Sequence, residues 1–140
     1  MQVQPYLFFE GRCEEALTFY QGAVGAKLID LMRFKDSPQP QAGGGCPEGS
    51  APPPDKVMHA SFSIGDTTLM ASDGMASGKP EFKGMSLSIT AASDAEAKRL
   101  FDALGDGGHV QMPLTKTFFA SSFGMVADRF GVSWMVIAMP

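Results

Sequence analysis

Two histidines, His59 and His109, are the only imidazoles in the 140-residue chain. His59 lies in "KVMHASFSIGD" (56–66), next but one to Ser61, and Ser86 and Ser88 show the same spacing in "GMSLSIT" (84–90). A histidine among serines invites a Ser–His nucleophile. That chemistry also needs an orienting acid and an oxyanion hole. No G-x-S-x-G turn is present, and these serines fall within strand-like segments, not on strained turns. The pattern fits small hydroxyls that leave room for a ligand, with His59 as a ligand contact or general base. A metal site built from His59 with Asp73 or Glu81 would be short of ligands. Cys13 and Cys46 are too few for a disulfide framework and point to a reducing, cytoplasmic setting. Cys13 falls on the apolar stripe of a predicted helix, where a thiol packs as a small hydrophobe. Cys46 lies in a loop with no base beside it in sequence.

The elements that position these groups follow from hydrophobic period. Hydrophobic residues make up 44% of the chain, enough for a substantial core. A net charge of −4 argues against a nucleic-acid surface, which would be basic. No apolar run approaches the roughly 20 residues that span a bilayer, and "MQVQPYLFFEGR" does not read as a signal peptide. Residues 37–55, "SPQPQAGGGCPEGSAPPPD", are dense in Pro and Gly and read as a long flexible loop. On either side the same order appears twice. "VQPYLFF" is a strand, "CEEALTFYQGAVG" a helix with Cys13, Ala16, Leu17 and Tyr20 on one face, and "AKLIDLMRF" a second strand. "KVMHASFSIGDTTLMASD" is a hairpin turning at Gly65-Asp66. "GMSLSIT" opens the second half, and Ser93 with Glu96 forms a capping box ahead of Ala97, Leu100, Phe101 and Leu104. "HVQMPL" and a hairpin turning around Asp128 to Gly131 complete it. The predicted fold is α+β, two βαβββ modules forming a curved mixed sheet around a cavity. It is a single domain, with module 1 at about 1–75 and module 2 at about 82–140.

Alternation assigns the faces. Met58, Ala60, Phe62 and Ile64 point one way, and His59, Ser61 and Ser63 the other. Met85, Leu87 and Ile89 likewise oppose Ser86, Ser88 and Thr90. The apolar faces take the helices, and the others line the cavity. Trp134 falls on the core side, while Met70 and Met135 suit an adaptable apolar wall. Glu14 and Glu15 read as the exposed first turn of a helix.

Three stretches carry a resemblance: "PYLFFEGRCEEALTFY" (5–20), "HASFSIGDTTLMASD" (59–73) and "GGHVQMPLTKTFFASSFGMVADRFGVSWMV" (107–136). With the paired modules and the closing D-x-x-G-x-x-W hairpin, the chain resembles the vicinal oxygen chelate superfamily of glyoxalases, bleomycin resistance proteins and dioxygenases. It is most similar to the PhnB-like branch, often labelled 3-demethylubiquinone methyltransferase-like. Phe119 departs from that branch, which has tryptophan there. Methyl transfer is set aside, because "AGGGCPEG" is not a glycine-rich turn between a strand and a helix. In metal-using members of the superfamily, ligands come from the first and last strand of each module. The resemblance places those positions at Gln4 or Pro5, Met70, Gly84 or Ser86, and Met135. Two thioethers there do not suit a hard divalent ion.

These residues lead to a metal-free protein with no cofactor that binds a small, partly apolar molecule. Its cavity candidates are Gln4, Tyr6, Phe8, His59, Ser61 and Met70 from module 1, with Ser86, Ser88 and Met135 from module 2. The resemblance implies a homodimer. Two rivals are a metal-dependent lyase, isomerase or dioxygenase, and an interaction protein whose cavity is vestigial.

Overall fold

The computed structural model describes residues 1–36 and 53–140. The loop expected at 37–55, including Cys46, therefore lies outside the described residues except at 53–55. The chain forms two compact units, residues 1–80 and 81–140. Each has the predicted β-α-β-β-β order.

In the first unit, β1 is Tyr6–Phe8, α1 Cys13–Ala23, β2 Lys27–Arg33, β3 Val57–Ile64 and β4 Thr67–Ser72, with one 3-10 turn at Phe34–Asp36. The strands lie in the order β1-β4-β3-β2. β1 runs parallel to β4, and the other neighbours are antiparallel. β1 is shorter than its apolar run suggests. Pro5 has no N–H for a ladder bond, and its carbonyl instead accepts from Met70 N at 3.0 Å. Gly65 takes φ +57° in the two-residue β3–β4 loop, as a primed hairpin turn requires.

The predicted stripe of α1 is its buried face: Cys13, Ala16, Leu17 and Tyr20 all lose contact with water. Leu7, Ala60, Phe62 and Ala71 of the sheet are buried with them. Tyr20 stacks on Phe62 with ring centroids 6.2 Å apart. Each such large side chain contributes about 1.5–3 kcal/mol on burial. Met58 and Ile64, expected on this face, are only partly covered. Arg12, the residue before α1, makes no side-chain cap. Asp73, just past β4, replaces it. Its Oδ1 accepts from Gly11 N at 3.0 Å and Cys13 N at 2.7 Å, and its Oδ2 from Val57 N at 2.7 Å. One buried carboxylate thus ties the helix start to the β3 start through charge-assisted bonds.

In the second unit, β5 is Leu87–Ala91, α2 Asp94–Gly105, β6 His109–Thr115, β7 Ser122–Ala127 and β8 Ser133–Ala138. The order β5-β8-β7-β6 repeats the first sheet's topology, again with the outer first strand parallel to the last. Ser93 Oγ accepts from Glu96 N at 3.1 Å, and Glu96 Oε1 from Ala92 N at 3.2 Å, so the capping box forms one residue wider than its usual pattern. Ala97, Leu100, Phe101 and Leu104 are the buried stripe. Met85, expected to share the helix side, precedes β5 and stays exposed. Gly124 in β7 allows the close approach of α2: a Cβ there would sit 2.7 Å from Phe101 Cε2 and 3.0 Å from Leu114 Cα.

Asp128 explains the D-x-x-G-x-x-W hairpin. Its Oδ1 accepts from Phe130 N at 2.9 Å and Val132 N at 3.1 Å. Its Oδ2 accepts from the indole Nε1–H of Trp134 at 2.8 Å. Asp128 and Trp134 are both buried, so the tryptophan is core, as alternation places it.

Candidate functional site

Cross-strand register assembles the helix-free face of the first sheet. Residues opposite one another in paired strands share a face. One row runs Tyr6, Met70, Ser61 and Asp30, from β1 through β4 and β3 to β2. Phe8 is paired with Ser72, and His59 with Met32. Tyr6 and Phe8 flank buried Leu7 and point away from the core, 38% and 51% exposed. Their rings lie 5.0 Å apart between centroids, and Tyr6 lies 5.6 Å from the His59 ring.

His59 is held at both nitrogens. The Tyr6 hydroxyl is 2.9 Å from Nδ1, and Ser61 Oγ is 3.3 Å from Nε2. Tyr6 reaches across β4 to make its bond, since it pairs with Met70 and not with β3. Partial burial, helped by nearby Cys13, pushes the Tyr6 phenol above its ordinary range, which keeps it a hydrogen-bond donor. Three rings and two hydroxyls therefore form one patch on the sheet, exposed at Tyr6 and Phe8 and half-buried at His59 and Ser61. Met70 sits half-buried between Tyr6 and Ser61. Gln4 is half-buried and precedes the paired part of β1.

The second sheet carries a comparable row on its own: Ser88, Met135, Met125 and Met112. Ser88 is exposed and Met135 half-buried. Ser86 lies just outside β5 and donates from Oγ to Ser133 Oγ at 2.9 Å, and Ser133 donates to Gln111 Oε1 at 3.0 Å. Phe119 stands edge-on to Phe118 and Phe123, at 5.1 and 5.2 Å. His109 is exposed at the start of β6.

These donors do not suit a hard divalent ion. Met70 and Met135 present thioethers. Among the described residues, no three His, Cys, Asp or Glu side chains converge. Asp73 is committed to three backbone N–H groups, so it does not join His59. Among the described residues, a methyl-donor or nucleotide cofactor finds no glycine-rich strand-to-helix cradle. The strand-to-helix connections, residues 9–12 and 92–93, hold a single glycine between them. The α1 start already carries the Asp73 carboxylate.

One feature escapes sequence reasoning. On the helix side of the first unit, a polar pocket of about 380 Å³ is lined by Glu14, Arg33, Lys35, Asp55 and Lys56. Its cations are engaged. Arg33 is bidentate to Glu14 at 3.0 and 2.7 Å, Lys35 pairs with Asp55 at 3.1 Å, and Lys56 donates to Gly11 O at 3.0 Å. The Arg33 hydrogen bond holds the Glu14 carboxyl below its ordinary range. Sequence alone offers only charges 19 residues apart.

Comparisons with known proteins agree with this architecture. A family profile described as 3-demethylubiquinone-9 3-methyltransferase matches residues 1–137. Protein YjdN of Escherichia coli is 37% identical over 138 residues, covering 97% of this chain and 94% of YjdN. The structure of PA1353 from Pseudomonas aeruginosa is similar at a TM-score of 0.81 with 45% identity, covering 99% of this chain and 98% of that one. A putative 3-demethylubiquinone-9 3-methyltransferase, PhnB protein, from Bacillus cereus gives 0.79 at 26% identity, covering 99% of each. A glyoxylase/bleomycin resistance protein/dioxygenase domain from Frankia shares the fold at 0.60 with 14% identity, covering 99% of this chain and 95% of that one. With the doubled module, the buried-Asp hairpin and near-complete coverage, the chain belongs to the PhnB-like 3-demethylubiquinone-9 3-methyltransferase family and shares the fold of the glyoxalase/bleomycin resistance/dioxygenase domain.

Proposed function

We propose that this protein binds a small, partly apolar molecule without a metal ion, on the helix-free face of its first sheet. The carrying observation is the exposed Tyr6–Phe8 pair beside a histidine already oriented at both nitrogens. Ligand sites combine apolar walls with a few placed polar groups, and large aromatics left exposed together on a sheet face are the expected signature. Tyr6, Phe8, His59, Ser61 and Met70 supply the contacts, with Gln4 at the strand's open end. On the second unit's own sheet, Ser86, Ser88 and Met135 are the corresponding candidates.

Metal-free binding is supported by the thioethers at the inherited ligand positions and by the commitment of Asp73 elsewhere. A homodimer in the cytoplasm accords with the superfamily resemblance, the acidic charge and the low cysteine count. Exposed Val110 and Met112 on β6 offer apolar surface for the dimer.

Isothermal titration against a panel of metabolites and drugs tests the reading. A ligand whose affinity falls at least tenfold in Tyr6→Phe or His59→Ala is expected. Absence of any binding, or stoichiometric divalent metal that chelation removes together with an activity, would overturn it. Light scattering on the purified protein checks the dimer.

A further inference from the structure

The Tyr6–His59–Ser61 chain has a property beyond orientation, and its use in recognition rests on the ligand-binding role proposed for this face. A neutral imidazole carries one N–H and one bare nitrogen, and its two tautomers exchange those roles. With the proton on Nε2, Tyr6 donates its O–H to Nδ1, and the Tyr6 oxygen offers a lone pair outward. With the proton on Nδ1, that N–H donates to the Tyr6 oxygen, and the Tyr6 O–H is released to point outward. Ser61 compensates at the other nitrogen, accepting from Nε2–H in the first state and donating to Nε2 in the second. Both hydrogen bonds survive in either state, so exchanging them leaves no buried group unpaired.

The geometry points to a reversible recognition element. Tyr6 presents an acceptor or a donor to the ligand according to the His59 tautomer, and the site takes planar aromatic molecules whose polar group is a single uncharged oxygen of either kind. Three further observations restrict the ligand to that class. Tyr6 is the open end of the chain and Ser61 the half-buried end, so contact is made at the phenol. Phe8 and the Tyr6 ring beside it, tilted 30° to one another, each offer an apolar ring face to a conjugated ligand. Among the described strand residues, the register brings formal charge to this face from the edge strand β2, where Asp30 lies opposite Ser61 and Lys27 opposite Ser63, while Glu10, two residues beyond Phe8, already accepts from Met75 N and Ser77 N. Tyr6, Phe8, Met70 and Ser72 contribute none.

Phenol, acetophenone and toluene serve as probes, a donor-and-acceptor, an acceptor and a control with no polar group. In the intact protein labelled with 15N-histidine, each is titrated while the His59 ring nitrogens are observed by NMR. A protonated ring nitrogen resonates well upfield of a bare one, so the two resonances report the tautomer. Acetophenone should draw the proton towards Nδ1 and phenol, donating to Tyr6, towards Nε2, so the shifts move in opposite directions. Each should bind about threefold to tenfold more tightly than toluene, the effect of one added hydrogen bond. In Tyr6→Phe, whose fold is checked by circular dichroism, both the opposed shifts and the preference over toluene should vanish. Binding with His59 shifts that move the same way for both probes, or opposed shifts that persist in Tyr6→Phe, would overturn the tautomer switch while leaving the binding site standing. No binding by any probe, with the wider panel also negative, would overturn both.

Discussion

Trp134 is the chain's only tryptophan, so its fluorescence reports directly on the hairpin that Asp128 organises. Asp128→Asn keeps the side chain's size and one carbonyl oxygen. That oxygen can still accept from Phe130 N and Val132 N, as Oδ1 does now at 2.9 and 3.1 Å. The new amide NH2 then faces the indole N–H, donor against donor, where Oδ2 now accepts at 2.8 Å. A hydrogen bond to a charged group is worth about 1.5–3 kcal/mol, and orphaning a buried donor adds to that loss. The sum is roughly 3 kcal/mol, a large share of the roughly 5–15 kcal/mol that holds a domain together. Urea unfolding followed by tryptophan emission should show a lower midpoint at unchanged slope, with a melting temperature lower by roughly 10 °C. A loss below about 0.5 kcal/mol in Asp128→Asn would refute the reasoning, since surface substitutions commonly cost that little.

Other regions give equally direct tests. Gly124→Ala places a methyl against Phe101 and the Leu114 backbone, and should destabilise by about 1–3 kcal/mol in thermal melts, the usual cost of overpacking. Burial pushes the Cys13 thiol far up, with the Asp73 and Glu14 charges adding to it. In a Cys46→Ala background, the native protein should therefore resist iodoacetamide and react only once unfolded, as mass spectrometry would show. Arg33 lowers the Glu14 carboxyl in the folded state, so that contribution is complete above the ordinary glutamate range and fades as pH falls through the folded value. Glu14→Gln should flatten the acid limb of a stability–pH curve, with an effect at pH 7 well below that of Asp128→Asn, because the pair is exposed.

Much of this fold is legible in the sequence because its signals are periodic and local. The stripe of Cys13, Ala16, Leu17 and Tyr20 needs only a 3.6-residue period, and the alternation through Ala60, Ser61, Phe62 and Ser63 only a period of two. What is not legible depends on contacts between distant residues. Asp73 caps α1 from 60 residues away, and a local search for an N-cap finds only Arg12. Alternation assigns His59 to the helix-free side, and Tyr6 is a cavity candidate with it. Their hydrogen bond, across 53 residues, follows only from the parallel pairing of β1 with β4, which sets Tyr6 one strand away from β3. The start of β1 is obscured for a similar reason. "VQPYLFF" is apolar almost throughout, yet Pro5 confines the ladder to Tyr6–Phe8.

Amide chemical-shift mapping with a fragment library most directly tests whether the face of Tyr6, Phe8, His59 and Ser61 is the binding site. At least one fragment should produce saturable shifts centred on β1 and the His59–Ser61 segment of β3, and Tyr6→Phe with His59→Ala should abolish them while the rest of the spectrum stays unchanged. Saturable binding centred elsewhere, for example around Arg33 and Lys56, with those strands silent, would contradict the account.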